Sequence, residues 1–500
     1  MKPVLNVLFL AAEADPFVKI GGLGDVAGSL PNALRNIAPL AGEAQGGIDI
    51  RLVIPFHGAI QRQDYPLRSA AIFEVPHLGG AIRAEALTLE QDGLPVYMIA
   101  GAPIRPDAPV YTTDASIDGR KFTFFSLAAL ELARTLNWVP HIVHANDWHT
   151  SPAIYALFRD RGVDTFYYNT ATVLGLHNLP YLGVGSGPAL QEFGLPPAVD
   201  SPLPDWAQNI PLPLGLLGAD HIVAASPTYA HEIMTPEFGS GLHEFLRMRA
   251  GSISGILNGI DEQRWDPGQD AALAAPYCLD DLSPRKLNKL ALLAELGLEE
   301  DPEVPLLAMV TRMDIQKGVD LVPDALRQVA HLPWQAVILG TGDPALEGTV
   351  RQLEADFPER VRAAIRFDAA LSRRIYGGAD ALLIPSRYEP CGLTQMIAMR
   401  YGCIPIARAT GGLRDTIQDF DRSSQSTGFL FQKASSAALA GALRRFLRIF
   451  PEEETRQGIQ RRGMEQDFSW KRFARQYLAL YETLSYHRIG RNGLIEKREE

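Results

Sequence analysis

Cysteine is scarce in this chain of 500 residues, which contains three: Cys278, Cys391 and Cys403. Their number is odd and none of them forms a CxxC pair, so a disulfide framework or a structural zinc site is not expected. No HExxH motif is present either, and the sequence predicts no bound metal.

Long apolar runs are also missing. The run from Val4 to Ala12 is too short to span a membrane and leads directly into Glu13 and Asp15. It lacks the layout of a signal peptide and is typical of a buried first strand. Together with the scarcity of cysteine, this predicts a reduced, cytoplasmic compartment and no membrane partner.

Positive charge is in the minority. The chain has 47 Lys and Arg against 58 Asp and Glu, which gives a formal net charge of −11. An acidic chain without a basic block is a poor candidate for binding nucleic acid. A small anionic substrate remains compatible, because a local group of Lys and Arg can oppose the global sign.

The apolar pattern predicts two α/β domains, as the length also suggests. In the first half an apolar strand is followed by a glycine-rich turn and a helix that we expect to start at Asp25. The candidate strands of this half are Val4–Leu10, Ile50–Ile54, Ile142–Ala145, Thr172–Leu176 and Ile222–Ala225. Those of the second half are Leu306–Val310, Ala336–Leu339, Ala364–Phe367, Ala381–Ile384 and Ile404–Ala407.

These patterns divide the chain into residues 1–255, residues 256–468 and a terminal segment 469–500. The terminal segment opens with an amphipathic helical pattern at Trp470–Tyr486, and its charged end at 497–500 is expected to be frayed.

Polar clusters follow three strands of the first half. Lys19, Gly21, Gly22 and Asp25 form a loop that suits a phosphate, since glycines let the backbone approach and a helix start favours an anion. The second cluster, at 144–149, includes His144, Asp147 and His149. The third contains His177 and Asn178. Each cluster could also be a structural turn or a hydrogen-bonded loop, and the residues alone leave both interpretations open.

Three further clusters lie in the second half. Arg312 and Lys317 stand between a strand and a helix, where two cations form a good diphosphate clamp. Glu389 follows the Ala381–Ile384 strand and could bind sugar hydroxyls or stabilise positive charge on an anomeric carbon. Thr410-Gly411-Gly412 is a second glycine loop before a helix. A solvated charged loop and simple helix capping are the alternatives.

With these clusters in view, the chain resembles bacterial glycogen synthases and plant starch synthases. The matching segments run in family order and cover nearly the whole chain: KIGGLGDV at 19–26, HANDWHT at 144–150, LHN at 176–178, SPTYAHEIMTPEFG at 226–239, NGID at 258–261, QKGVDL at 316–321, GGADALLIPSRYEPCGLTQ at 377–395 and RYGCIPIARATGGLRDT at 400–416.

The resemblance implies an α/β GT-B fold, in which two Rossmann-like doubly wound domains face a central cleft and a terminal helix crosses back onto the first. It also implies a role for each matching residue. Lys19, Gly22, Arg312 and Lys317 would hold the diphosphate of a nucleotide sugar, and His177 and Glu389 would contact its glucose. The remaining contacts implied are Asp147 and Asn258 near the sugar, Phe367 against the adenine, and the backbone amides of Cys391, Gly392, Leu393, Gly411 and Gly412.

The sequence departs from the family pattern at four positions: Ala12, Ile20, Pro213 and Ile397. Ile397 stands where the broader E-x7-E pattern has its second acid, and that absence fits the glycogen synthase branch. Pro213 stands where the family often has a lysine.

The function implied is transfer of glucose from ADP-glucose to an α-1,4-glucan with retention, without a cofactor or a metal. UDP-glucose as donor is the nearest alternative, and a glucan-binding homologue without activity is a second. A nicotinamide dehydrogenase is disfavoured because GxGxxG is absent, and a phosphorylase because nothing supports pyridoxal phosphate. The sequence does not predict an oligomeric state.

Overall fold

The computed structural model describes residues 4–37 and 47–499, with side chains described through residue 488. The chain forms two compact units: Met1–Gly259 with Trp470–Glu500 (unit 1), and Ile260–Ser469 (unit 2). It therefore passes between the units after Gly259 and after Ser469, whereas the sequence places boundaries after residues 255 and 468.

Unit 1 is built on a nine-stranded sheet with strand order β3-β4-β5-β2-β1-β6-β7-β8-β9. Its strands are β1 Leu5–Leu10, β2 Ile48–Pro55, β3 Arg68–His77, β4 Gly80–Gln91, β5 Leu94–Gly101, β6 Ile142–Asn146, β7 Ala171–Leu176, β8 His221–Ala224 and β9 Ile253–Gly255. Its helices up to residue 259 are α1 Gly22–Arg35, α2 Ala115–Thr135, α3 Asp147–Asp160, α4 Gly187–Glu192, α5 Pro211–Gly218, α6 Pro227–Glu232 and α7 His243–Met248, with short 3₁₀ turns at Arg62–Asp64, Asp205–Ala207 and Ala250–Ser252.

The strands of this sheet are parallel except around β4, which pairs antiparallel with both β3 and β5. β1 lies between β2 and β6, so the strand order reverses there. In open α/β sheets, ligands bind at the carboxyl ends of the strands beside such a reversal. The loop after β1 and the loop after β6 both leave the sheet at this point.

Unit 2 has a six-stranded parallel sheet with strand order β12-β11-β10-β13-β14-β15. Its strands are β10 Leu306–Val310, β11 Gln335–Gly340, β12 Val361–Ile365, β13 Ala381–Ile384, β14 Ile404–Arg408 and β15 Phe429–Phe431. Its helices are α8 Arg285–Leu296, α9 Leu321–Gln328, α10 Pro344–Asp356, α11 Ala369–Gly378, α12 Thr394–Arg400, α13 Gly411–Thr416, α14 Ser436–Ile449 and α15 Glu453–Met464, with a 3₁₀ turn at Ile315–Lys317. Here the order reverses at β10, which lies between β11 and β13.

The terminal helix, α16 (Trp470–Glu499), belongs to unit 1. Trp470, Phe473, Tyr477 and Tyr481 are buried in the same core as β1, β2 and α1. This confirms the amphipathic helix predicted at Trp470–Tyr486. The helix continues into the predicted frayed end, whose last residue and side chains lie outside the described residues.

Both units are doubly wound α/β structures, as predicted from the alternation of apolar strands and helical patterns. Two local predictions were wrong. Helix α1 begins at Gly22, so Asp25 lies within its first turn and does not start it. Strand β12 ends at Ile365, so Phe367 lies beyond the strand and not at its end. None of the helices in the described ranges combines the length and the apolar character that crossing a membrane requires.

Candidate active site

The glycine loop after β1 is held from inside by Glu13. This carboxylate is buried and accepts hydrogen bonds from the backbone N–H of Ile20 and, at 3.1 Å, of Gly21. The Gly21 amide is therefore bonded within the chain and is not one of the exposed donors that the glycine pattern suggests. Burial raises the pKa of Glu13, and the two amides oppose that rise.

Beyond Gly21 the loop is open. A Cβ atom on Gly22 would meet nothing within 4 Å in the described chain. No side chain caps the first turn of α1, in which the backbone amide of Gly24 donates to the carbonyl of Gly21 at 3.2 Å. Lys19 lies beside that turn, with its Nζ 2.5 Å from Oδ1 of Asp25. An anion here would meet a helix start and a lysine.

Asp147 shapes the loops that follow β6 and β7. It has a left-handed backbone (φ 54°), which is uncommon for residues other than glycine, and it is buried. Its Oδ1 accepts hydrogen bonds from the backbone N–H of His177 at 2.7 Å and of Asn178 at 3.3 Å. The carboxylate predicted to lie near the sugar thus holds the backbone of two other predicted site residues in place.

His177 lies at the carboxyl end of β7. Its Nε2 is 2.9 Å from Oδ1 of Asn146. Burial lowers the pKa of His177, and the charge of Asp147 opposes that change. Beside it, Oδ1 of Asn178 is buried without a hydrogen-bond partner in the part of the chain that the structure describes. That atom is an acceptor available to a ligand hydroxyl.

The other histidines of the HANDWHT segment are turned into the core of unit 1. His144 contacts the hydroxyl of Tyr481 at 2.5 Å through Nδ1, and His149 packs against Phe122 and Trp148. Burial lowers the pKa of both rings to about 3. For these two, the structural interpretation of the cluster is confirmed. Asn258 is also buried, in the segment after β9.

In unit 2, Lys317 and Glu389 form an ion pair beside the strand-order reversal. Lys317 follows β10 and Glu389 follows β13, and Nζ lies 2.8 Å from each carboxylate oxygen. The Glu389 side chain is 7% exposed and the Lys317 side chain 21%. Ser386 donates a third hydrogen bond to the carboxylate, to Oε2 at 2.8 Å. The Glu389 carboxylate is thus buried, paired with a lysine and fixed in orientation by three hydrogen bonds.

Two further predicted donor contacts of unit 2, Arg312 and Phe367, are exposed. Arg312, also after β10, has a side chain 61% exposed and touches Asp314 at 3.4 Å. Phe367 is 88% exposed, just beyond the end of β12. A cation and an aromatic face therefore lie open at the carboxyl edge of this sheet.

The glycine loop Thr410–Gly412 packs against the segment that carries Glu389 and Cys391. Gly411 has φ 44°, and a Cβ there would lie 1.9 Å from the Glu389 carbonyl oxygen. The Gly412 amide donates to that same carbonyl at 3.1 Å, so it is not free to bind an anion. A Cβ on Gly412 would lie 2.0 Å from the carbonyl oxygen of Cys391. The segment Thr410–Gly412 hence fixes the backbone that carries Glu389, Cys391 and the two residues after it, Gly392 and Leu393.

Four residues that sequence reasoning did not assign hold these groups: Glu13, Asn146, Ser386 and Gln395. Gln395 is fully buried, and its amide donates to the carbonyls of Cys391 at 3.1 Å and Gly392 at 2.9 Å. Three of the four lie within predicted clusters, and Glu13 precedes the first cluster by six residues. The sequence offered one signal for these four residues: each is a polar residue in a segment that the fold buries.

The parts of the chain that the structure describes contain no group of three or more His, Cys, Asp or Glu side chains that could hold a metal ion. What unit 2 offers is cationic: Lys317 and Arg312. What unit 1 offers is an open helix start with Lys19, a half-buried histidine and an unpaired amide oxygen. Cations and helix amides bind phosphates, and neutral hydrogen-bonding groups bind sugar hydroxyls.

Two family models match this chain. "Starch synthase catalytic domain" matches residues 6–248, and "Glycosyl transferases group 1" matches residues 296–464. The first match lies within unit 1 and the second within unit 2.

Curated relatives match nearly end to end. A glycogen synthase from Anaeromyxobacter sp. (strain Fw109-5) is 41% identical over 488 residues, which cover 96% of this chain and 100% of that protein. A glycogen synthase from Syntrophotalea carbinolica is 39% identical, with coverage of 95% and 98%.

Two solved structures are similar to this chain over nearly its whole length. The catalytic domain of starch synthase IV from Arabidopsis thaliana, bound to ADP and acarbose, superposes with a TM-score of 0.85 at 33% identity and covers 97% of this chain and 100% of that one. A sucrose-phosphate synthase from Thermosynechococcus elongatus superposes with a TM-score of 0.60 at 19% identity, with coverage of 96% and 99%, and shows the fold alone.

Proposed function

The chain belongs to the glycogen and starch synthase family of retaining GT-B glycosyltransferases, and from that premise we propose that it transfers glucose from ADP-glucose to the non-reducing end of an α-1,4-glucan. The observation that supports this most directly is the Lys317–Glu389 pair at the strand-order reversal of unit 2. An inactive glucan-binding homologue would have no need to keep this pair.

The first role we assign is stabilisation of the leaving diphosphate. When the bond from the anomeric carbon to the phosphate oxygen breaks, negative charge builds on the ADP. In this proposal Lys317 and Arg312 of unit 2 supply cations, Lys19 of unit 1 supplies another, and the open turn at Gly22 supplies backbone amides. The Lys317 ammonium donates two hydrogen bonds to Glu389, and its third N–H can donate to a phosphate oxygen. Preorganised donors of this kind are the largest source of rate enhancement in many enzymes.

The second role is to position the glucose. Glu389, His177 and Asn178 would bind its hydroxyls, with Asp147 keeping the backbone of the last two in place. Positive charge develops on the ring as the donor bond breaks, and the Glu389 carboxylate would stabilise it. In unit 2, the sugar and phosphate would also be bound by the backbone amides of the Cys391–Leu393 turn and of Gly411, together with Thr410. Phe367 would pack against the adenine.

The third step is transfer with retention. The acceptor's 4-hydroxyl oxygen forms the new bond to the anomeric carbon on the face that ADP leaves. Its proton passes to the departing phosphate oxygen, so no protein base is required. The charge on the leaving group is neutralised by side chains, and we therefore propose that neither a metal nor another cofactor takes part.

The partners are a nucleotide sugar and a glucan, as in the family. ADP as the nucleotide is supported by the ADP bound to the starch synthase IV domain. The closest alternative is UDP-glucose as donor. We propose no nucleic-acid or membrane partner, in line with the acidic composition, and a cytoplasmic location remains a prediction.

The test is incorporation of radiolabelled glucose into glycogen from ADP-glucose and from UDP-glucose at equal concentrations. We expect incorporation from ADP-glucose to dominate and the new linkage to be α-1,4. Dominant incorporation from UDP-glucose would overturn the donor assignment, and no incorporation from either, with a folded chain, would overturn the enzymatic proposal. The Lys317→Ala variant is the background control.

A further inference from the structure

One buried amide connects the first strand of unit 1 to His177. Asn146 is the last residue of β6 and is fully buried. Its Nδ2 donates to the carbonyl oxygen of Leu10 at 2.8 Å, and its Oδ1 lies 2.9 Å from Nε2 of His177. Both contacts are long-range in sequence and link β1, β6 and β7.

These two contacts fix the direction of the hydrogen bond to the histidine. A backbone carbonyl can only accept, so the side-chain atom of Asn146 that faces Leu10 must be the NH₂ group. The atom facing His177 is then the carbonyl oxygen, which can only accept as well. Nε2 of His177 must therefore carry the proton.

The other ring nitrogen of His177 is left as an acceptor. The titratable groups that interact with the ring are Asp147 and His144, and Tyr481 of α16 bonds His144 from the far side. Burial lowers the pKa of His177, which keeps the ring neutral near pH 7. In a neutral imidazole with a proton on Nε2, Nδ1 has a lone pair. Among the described residues, Nδ1 has no hydrogen-bond partner.

We propose that Asn146 is a positioning residue that holds His177 in the Nε2–H tautomer, so that Nδ1 accepts a hydrogen bond from a hydroxyl of the donor sugar. This rests on the proposed function, in which His177 contacts the donor glucose. The consequence concerns specificity. A lone pair at this position accepts from an O–H group and repels a carboxylate or phosphate, so the site selects neutral hexoses over their charged derivatives.

The tautomer is tested directly by nitrogen NMR of the full chain labelled with ¹⁵N-histidine, with the His177 signals assigned by their loss in His177→Gln. We expect a protonated Nε2 and an unprotonated Nδ1 near pH 7. A protonated Nδ1, or a doubly protonated ring, would overturn the proposal. This readout does not depend on activity, so it stays informative even if the proposed reaction fails.

The role toward substrate is tested with a set of ADP-glucose analogues, each lacking one hydroxyl. With the normal donor, Asn146→Ala should lower kcat/KM roughly tenfold, about the value of one hydrogen bond. For the analogue that lacks the partner hydroxyl, the same substitution should cost almost nothing. An equal penalty on every analogue would show that Asn146 acts on the fold alone and would sink the proposal.

A matched control separates loss of stability from loss of positioning. Thr170→Val also removes a buried donation to a backbone carbonyl, that of Pro140, but at the opposite end of β7. We expect it to lower the free energy of unfolding while kcat/KM stays unchanged. If Asn146→Ala fails to fold, Asn146→Ser, which keeps one short polar group, takes its place in the analogue series.

Discussion

The two units each reverse their strand order at their first strand, β1 in unit 1 and β10 in unit 2, and they place different chemistry beside that reversal. In unit 1, a histidine and an amide, His177 and Asn178, lie beside the reversal of strand order, and the Asp147 carboxylate that holds them accepts from their backbone amides. In unit 2, the corresponding reversal is occupied by charge, the Lys317–Glu389 pair. Of the 11 histidines in the sequence, His331 alone belongs to unit 2.

This contrast shows how one architecture is divided between two tasks. Neutral donors and acceptors form hydrogen bonds with hydroxyl groups without attracting ions, and they are therefore suited to binding a sugar. A half-buried lysine paired with a carboxylate can interact with the charge that develops on a phosphate. The fold supplies the position and the side chains supply the chemistry.

The largest expected effect is the response of unit 1 to acid. Burial lowers the pKa of His57 to about 4 and those of His144 and His149 to about 3, below the ordinary value of 6.5. The unfolded chain therefore binds more protons below about pH 6.5, and the free energy of unfolding falls as the pH drops from there toward 4. Between pH 7 and pH 5, each ring should remove about 2 kcal/mol.

Hydrogen exchange by mass spectrometry at pH 7 and pH 5, corrected for intrinsic rates, checks this. Amides of unit 1 should lose more protection than those of unit 2. Equal losses of amide protection in the two units would contradict the proposed difference in their response to acid.

The next largest effect is on catalysis in unit 2. Lys317→Ala and Arg312→Ala should each lower kcat roughly 100- to 1000-fold, because each removes a cation from the leaving diphosphate. The measurement is initial-rate kinetics on variants shown to be folded by circular dichroism. Arg351→Ala is the control, since Arg351 lies on α10 in an exposed pair with Glu347. Near-normal turnover in both site variants would remove the proposed diphosphate role.

A smaller effect distinguishes the glycine loops of the two units. An added Cβ meets nothing at Gly22, so Gly22→Ala should change the free energy of unfolding by less than about 0.5 kcal/mol. If the diphosphate approaches this backbone, KM for the donor should rise roughly tenfold, which corresponds to about 1.4 kcal/mol.

Gly412→Ala is the counterpart in unit 2, where the added Cβ collides with the Cys391 carbonyl. It should lower the free energy of unfolding by about 1–3 kcal/mol. Urea titrations and donor KM values for the two variants are the measurements, and an unchanged KM in Gly22→Ala would speak against phosphate contact at that loop.

The smallest effect is expected from chelation. Because cationic side chains carry the neutralising role, exhaustive treatment with EDTA should leave glucose transfer unchanged once ionic strength is matched. Full loss of activity, restored by Mg²⁺ or Mn²⁺, would contradict that role.

Buried strands were the most predictable part of the fold. β10 and β13 have the predicted bounds, because each is a short apolar run bounded by a proline on one side and a polar residue on the other. The antiparallel strand β3 was missed, since it is partly exposed and Ile72 faces solvent, so no clear alternation marks it. β12 was placed too late because a further apolar residue, Phe367, lies two positions past its end.

For the candidate site, sequence reasoning placed charged and polar residues at strand ends, and the parallel sheets bring several of them together. It could not pair Lys317 with Glu389, which are 72 residues apart, because that needs the order of the strands. It also could not identify Asn146 or Ser386 as supports, since serine and asparagine occur in any loop and only geometry shows what they hold.

The return of α16 to unit 1 has a consequence for synthesis on the ribosome. Chains emerge from the amino terminus, and domains generally fold as they are completed. Trp470, Phe473, Tyr477 and Tyr481 complete the core of unit 1, while unit 2 ends at Ser469. All of unit 2 is therefore synthesised before the unit that began first has its full core. During synthesis, the surface of the amino-terminal sheet that packs against α16 therefore stays uncovered until the last segment of the chain leaves the exit tunnel.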